Sequence, residues 1–548
     1  SDYPEATSNR EFSTPNPVRR AVKALPWFCR FMSFTDDDAD SRRTCHSPTT
    51  RVYRPKSTAM AWGKTVGVAS WVDRLKADDQ TLTSVTVFRG RLFGPSEAAE
   101  VCDALRSNTA LREFYASGHA VDVETAGKFA DMLTVNKTIQ YICIGDASFG
   151  DEGVAALARG IASSASLRAV DLENKGMGDE GARALGAALG ESKVTELNIS
   201  HNDALTDAGL AAVCLGAAAG RTVTSLRVAG LSVGPESCAA VSKLLASSGG
   251  ALRRLDATDA KMDPGGIMAL GVALRDDGGE RSGSLDELVL DGTRLGDDGA
   301  AALAGARGRG GGEGDARGGM GVLSLSIQGC EIGEAGVSAI ASTPRAPGGV
   351  LLETLNLRGN KAGDAGATAI AAAIAGEGPT GGESAFSALK TIDVGANGLG
   401  AAGAVELIRH SGPVENMSLF GNEAVGDDGA VAMVGAVQTG AGGRGLRILD
   451  IGGCGIGEVG MLALCDGLID HPIDVFPALE TLVVGGNPGA VGDAWEAALD
   501  RLRQARSTLD VAWRAADAGD SQDQDQQKNE LLDQYKQQQQ ELPPPSTP

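Results

Sequence analysis

The sequence predicts an α/β solenoid, a stack of strand–loop–helix units sharing one parallel sheet. Three observations carry that prediction. A nine-residue apolar pattern restarts along most of the chain, a glycine–aspartate turn and an alanine-rich stretch follow it, and the composition suits tight repeated packing. Of 548 residues, 76 are glycine, about twice the usual share, and aromatics make up only 4%. A core poor in rings and rich in Leu, Val, Ala and Gly must close through small, repeated contacts.

The clearest unit begins at Leu352. Leu352, Leu355, Leu357 and Asn360 hold its first, fourth, sixth and ninth positions, Gly363-Asp364-Ala365-Gly366 follows, and Ala367 to Ala375 is rich in alanine. The unit restarts at Leu389, Val414, Leu446 and Leu479, and backwards at Val322, Leu285, Leu252, Val223, Val194, Leu167, Ile139, Leu111 and, degenerately, Leu82. These fourteen units recur at about 30.5 residues, a period typical of stacked repeat architectures. Within a unit, positions such as Leu285, Leu288 and Leu290 form a short alternating strand. Next, a segment such as Gly150-Asp151-Glu152-Gly153 places a carboxylate where a helix begins. It is expected to accept from free N–H groups there and to face the positive dipole end. Val154 to Ala162 then has apolar residues at helical spacing. No unit buries its own faces, so neighbours must stack, and the return through a helix keeps the strands parallel.

This pattern resembles the leucine-rich repeat superfamily, specifically its ribonuclease-inhibitor-like class, over roughly residues 82 to 500. The resemblance implies a horseshoe with the sheet on the concave face and helices on the convex face. It also implies that the third, fifth and seventh positions face the concave surface. The ninth position normally holds Asn or Cys, which satisfies backbone groups between coils. Asn202, Cys330, Asn360, Asn397, Asn422, Cys454 and Asn487 fit, and Thr293 is tolerable. Gly90, His119, Ala147, Lys175, Leu231 and Ala260 depart from it, so the C-terminal half is expected to be more regular.

The expected organisation is an arm over 1–58, a capping helix within 59–81, a solenoid over 82–513 and a Gln-rich tail over 514–548. The arm contains Val18 to Phe34, which mixes Arg19, Arg20, Lys23 and Arg30 with Trp27, Phe28, Phe31 and Phe34. It reads as a disordered arm in preference to a targeting or membrane-surface segment. Ala59 to Lys76 is patterned to cover the open end of the first coil, and Ala494 to Trp513 to close the last. Insertions at Gly305–Gly321, Thr343–Gly349, Gly376–Ser387 and Gln438–Gly445 all fall between a helix and the next strand. The first, with its Arg307, Arg309 and Arg317, reads as a flexible spacer in preference to a nucleic-acid or phosphate site.

Charge and motif content narrow the chemistry. A net charge of −22 disfavours nucleic acid as a partner. The nine cysteines are odd in number, scattered and never spaced C-x-x-C, against a disulfide framework and against zinc. No run of 18 uncharged apolar residues suggests a transmembrane segment. Gly63-Lys64-Thr65 lacks the earlier glycine of a phosphate loop, since Thr58 stands there. Asp36, Asp38 and Asp40 mimic a calcium loop, but Ser41 and Ser47 replace its glycine and bidentate glutamate. The five histidines lie in unrelated contexts, too far apart for a catalytic pair. No catalytic residue, cofactor or metal ligand is expected.

The outward strand positions supply the binding candidates. Phe88, Tyr115 and Tyr141 occupy the seventh, fifth and third positions of successive units, a diagonal across adjacent strands. Asp171, Glu173, Glu196, Asp256, Glu287, Asp291, Asp393 and Asp450 follow, against Arg227, Arg254 and Arg358. An aromatic anchor beside an acidic field suits a basic protein partner. The resemblance implies a non-catalytic protein–protein interaction scaffold, expected as a cytoplasmic monomer. Cytoskeletal or ciliary assembly, and organelle targeting by the arm, stay open. The alternative is a GTPase-activating regulator resembling the Ran GTPase-activating proteins, although the tail dilutes its acids with Gln.

Overall fold

In the computed structural model, residues 69–512 are described, apart from 89, 247–251, 275–284, 306–321, 344–350, 378–383 and 441. The arm, the tail and the centres of the first three insertions lie outside the described residues.

Apolar alternation builds the sheet. Among the described residues, fifteen strands pair in parallel, from Ser84–Thr86 to Asp510–Ala512, in chain order. Two further strands, Ser232–Val233 and Lys261–Met262, make a separate small sheet. Register places the fourth position of each unit against the fourth of the next: Leu325, Leu355 and Ile392 are consecutive partners, all fully buried. That row extends from Val85 to Val511 in one continuous core. At strand spacings of about 4.8 Å, the sheet is about 67 Å long. Among the described residues, one α-helix precedes the first strand and fourteen lie between successive strands of the long sheet, each packing against its neighbours in sequence. A unit's stability is therefore set largely by the units beside it.

The aspartate of the turn works differently from the sequence expectation. It caps the helix of the next unit, not its own. Asp151 Oδ1 accepts from the backbone N–H groups of Gly178 (2.6 Å) and Gly181 (2.9 Å), where the following helix, Asp179–Leu189, begins. Asp297 does the same for Gly333 and Gly336, and Asp364 for Gly400 and Gly403. Asp151 already lies inside its own first turn, and stacking brings the next helix N-terminus to its side chain. The second glycine of the motif follows from this. A Cβ at Gly403 would stand 2.5 Å from Asp364 Oδ1. Each turn thus leaves room for the carboxylate of the turn before it.

The ninth position links coils in the same sense. Asn360 accepts from Cys330 and Ile332 N–H and donates to the carbonyls of Ile327 and Leu357. Asn202, Asn397, Asn422 and Asn487 repeat the scheme. Cys330 and Cys454 replace the donor with a thiol aimed at Leu290 and Leu419 carbonyls.

At the N-terminal end, the helix Ala69–Lys76 buries Val72 and Leu75, and its Trp71 ring lies 6.5 Å from Phe114. At the other end, the expected closing helix is shorter. Asp493–Ala505 is helical, but Asp510–Ala512 is a strand paired with Thr481–Val483. Leu509 and Val511 are buried there, so a fifteenth strand extends the sheet beyond the fourteen units. Arg506 secures that end by donating to the carbonyls of Leu468, Phe476, Pro472 and Val475.

Candidate functional site on the open sheet face

Positions four and six of each strand enter the core, so alternation turns three, five and seven to the opposite face. The eleven candidate residues all stand at such positions, but their surroundings divide them into three regions.

In the N-terminal region Tyr115 and Tyr141 stack, with ring centroids 4.3 Å apart and planes inclined by 31°. Register explains the contact: Tyr115 pairs with Cys143 and Tyr141 with Glu113, so the two rings meet on the diagonal. The Tyr141 hydroxyl donates to Asp171 Oδ2 at 3.1 Å, and Asn198 Nδ2 donates to Glu173 Oε2 at 2.9 Å. Burial, then the Glu113 charge, pushes the Tyr115 phenol up to about 12; burial and Asp171 raise Tyr141 as well. Phe88 is 55% exposed and makes no ring contact with the tyrosines among the described residues. Leu92, close by in sequence, is 83% exposed. Glu196 is exposed, and Asp171 and Glu173 are half-buried. Beneath this region lies Lys175, which is buried and donates from Nζ to Ser117 Oγ at 2.9 Å. It spans the intervening strand Tyr141–Gly145. His119, which stands at the ninth position of its unit, is buried against Phe93, with Nε2 3.3 Å from the Val87 carbonyl.

In the middle region Arg254 consumes the charge. Its guanidinium pairs with Glu287 and with Asp256, and Asp256 Oδ1 also accepts from Thr258 Oγ1 at 2.7 Å. Asp291 accepts from Ser326 Oγ (2.6 Å) and from Gln328 N–H (2.8 Å). Burial pushes its carboxyl up to about 6.

In the C-terminal region Asp393 and Asp450 are buried, each accepting from the N–H two residues on, Gly395 (2.7 Å) and Gly452 (2.9 Å). Ser418 stands between them in the sheet, and its hydroxyl is 3.5 Å from Asp450 Oδ2. Phe420 and Arg358 cover the group, with the guanidinium 4.7 Å from the ring centroid. Burial pushes Asp393 up to about 6 and Asp450 to about 7, and lowers Arg358.

Glu113 and Phe420 belong to the site although the sequence reading passed over them. Both were legible, since each occupies an outward position of its strand. Among the described residues, no three His, Cys, Asp or Glu groups converge as a metal requires. The seven described cysteines are free and buried, and burial pushes thiols such as Cys143 and Cys214 up to about 12. No helix among the described residues is long and apolar enough to cross a membrane.

A family model described as a Leucine Rich repeat matches residues 192–214, 322–341, 351–371 and 446–465. No curated protein sequence matches the chain. Among solved structures, a chain of the yeast Rad7 and Elc1 complex is similar at 13% identity, covering 83% of this chain and 90% of that one, with a TM-score of 0.40. Leiomodin-1 Actin-Binding Site 2 is similar at 20% identity over 25% of this chain and 80% of its own, TM-score 0.23. The tropomodulin C-terminal domain of Caenorhabditis elegans is similar at 15% identity over 28% and 92%, TM-score 0.25. Each of the four matches covers a strand of the long sheet and at least the start of the helix after it, and the strands between them pair in the same register. The chain is a leucine-rich repeat protein.

Proposed function

We propose that the chain is a non-catalytic scaffold that binds a basic protein partner on the concave face, in its N-terminal third. One observation carries this reading. The stacked Tyr115–Tyr141 pair is flanked by Glu113, Asp171, Glu173 and Glu196, and no outward third, fifth or seventh position in the first five units holds Lys or Arg. Tyrosines supply rigid apolar area with a polar tip, and four carboxylates against the single Lys175 ammonium that reaches Ser117 leave a net negative field that steers a basic partner. Farther along, Arg254 neutralises Asp256 and Glu287, while Asp291, Asp393 and Asp450 are drawn inward. The partner's anchor therefore belongs at the tyrosine end. We place the protein in the cytoplasm as a monomer.

The test is affinity capture from native lysate with the wild-type chain and with Tyr115→Ala. A specific partner is retained by the first and lost from the second, with the melting curve unchanged. Equal capture by both sinks the reading. Stimulated phosphate release from small GTPases would replace it with the regulator of GTP hydrolysis.

A further inference from the structure

We infer that residues 18–34 of this chain dock on the N-terminal third of the open sheet face. The arm then competes with the partner for the tyrosine–carboxylate surface, an inference that rests on the function proposed above.

The face and the segment are chemically complementary. The face offers the stacked tyrosines and the carboxylates of Glu113, Asp171, Glu173 and Glu196. The segment, VRRAVKALPWFCRFMSF, has four basic residues, four aromatic ones and no acid. Guanidinium forks match carboxylates bidentately, and aromatic rings favour offset or edge contacts with one another. Phe88 and Leu92 add large exposed apolar side chains at this end, surface that a soluble chain normally covers or uses.

Position also favours this face over the rest of the sheet. The chain enters the solenoid at Ala69–Lys76, the helix that covers the first coil, so the arm is attached beside the tyrosine end. The 34 residues between Phe34 and Ala69 can span at most about 110 Å. The first five strands extend over only about 19 Å, so reach does not limit docking. Beyond them the open negative charge falls away: Arg254 pairs with Asp256 and Glu287, and Asp393 and Asp450 are buried, so a basic segment meets fewer open carboxylates there.

Carbodiimide cross-linking of the full chain tests this, because it joins an ammonium to a carboxylate only in direct contact. Lys23 is the one lysine of the segment. It is expected to link to Glu113, Asp171, Glu173 or Glu196 within a single chain, as shown by mixing isotopically light and heavy protein. The yield should be independent of protein concentration and lost at high salt. Trp27→Ala with Phe28→Ala leaves Lys23 and every carboxylate in place, and should lower the yield at least five-fold. Links formed equally to helix-side acids such as Glu152 and Asp428, links only between chains, or none at all each overturn the inference. Partner capture separates the two readings. If Lys23 does not reach the face while capture still needs Tyr115, the docking fails and the scaffold stands. If it does reach the face but releasing the arm yields no Tyr115-dependent capture, the docking stands and the scaffold fails.

Discussion

Asp171 and Asp450 occupy the same fifth position of the same repeat, yet one lies on an open surface and the other beneath a cover. The difference comes from the seventh positions around them. In the C-terminal region these read Arg358, Gly395, Phe420, Gly452. A Cβ at Gly452 would lie 3.1 Å from Phe420 Cδ2, and one at Gly395 would lie 3.4 Å from Arg358 Nη1. The two glycines therefore leave room for the ring and guanidinium to lie over the acids. In the N-terminal region the seventh positions read Phe88, Ser117, Gly145, Glu173, Ser200, and no such alternation of large residue and glycine closes the face. A repeat position tells which face a carboxylate is on; its neighbours decide whether it is a charge that a partner can feel.

The comparison presumes one register from end to end, and Leu355→Asp attacks that directly. Leu355 is fully buried between Leu325 and Ile392. An unpaired carboxylate there should cost more than about 4 kcal/mol. Hydrogen exchange should show loss of protection spreading from the tenth unit into its neighbours, with less change at the tyrosine end. An unaltered melting curve would contradict the register itself.

Next in size is Asp364→Ala. It removes the acceptor for Gly400 and Gly403 N–H, two charge-assisted bonds that together contribute about 2–4 kcal/mol. The damage should appear in the following helix, Ala401–Arg409, before it appears in the helix that carries the aspartate. Exchange rates of those two helices, compared in one experiment, decide whether the cap acts across units.

The covered acids predict an inverted pH dependence for the C-terminal region. Asp450 is raised to about 7 and Asp393 to about 6 by burial, above the ordinary value near 4. The folded state binds those protons more tightly than the unfolded state, so stability is greatest below about pH 4 for these groups and declines as pH rises toward 7. Asp450→Asn, which keeps an acceptor for Gly452 N–H, should stabilise the chain at pH 8 by on the order of 1–3 kcal/mol. At pH 4 it should make no difference. Urea unfolding at the two pH values reads the sign, and destabilisation at pH 8 would mean that the carboxylate is held ionised and useful.

The sequence revealed the fold because apolar spacing is a local signal: every strand of the long sheet from Val85 to Leu482 was placed by its fourth position, whereas the pair Ser232–Val233 and Lys261–Met262, which carries no such pattern, was not. It missed Asp510–Ala512 because Leu509 and Val511 alone make too short a pattern after the last full unit. It assigned the turn aspartates to their own helices because the true acceptor relation, Asp151 to Gly178 and Gly181, crosses a repeat and is not visible in one unit. For the candidate site, the outward faces were legible and the burial was not. Nothing in the spacing of Asp393 and Asp450 announces that Phe420 and Arg358 lie over them.

The smallest effect on stability, and the sharpest test of the comparison, comes from neutralising the open face. Substituting Asp171, Glu196, Asp256 and Glu287 together would strand Arg254, whose partners are the last two. The informative set is Glu113→Gln, Asp171→Asn, Glu173→Gln and Glu196→Gln, which preserves acceptors for Tyr141 and Asn198. Stability should change by no more than about 0.5 kcal/mol. Association with a captured basic partner should slow by about ten-fold at low salt, with dissociation far less affected. The difference should shrink as ionic strength rises, because the Debye length is about 8 Å at physiological salt. Tyr115→Ala should show the opposite signature, faster dissociation and little salt dependence. Neutralising Asp393 and Asp450 should leave the on-rate where it was, since those carboxyls lie under Phe420 and Arg358. If the covered pair changed the on-rate as much as the open four, the two regions would be electrostatically equivalent, and the cover would have no bearing on which charges a partner encounters.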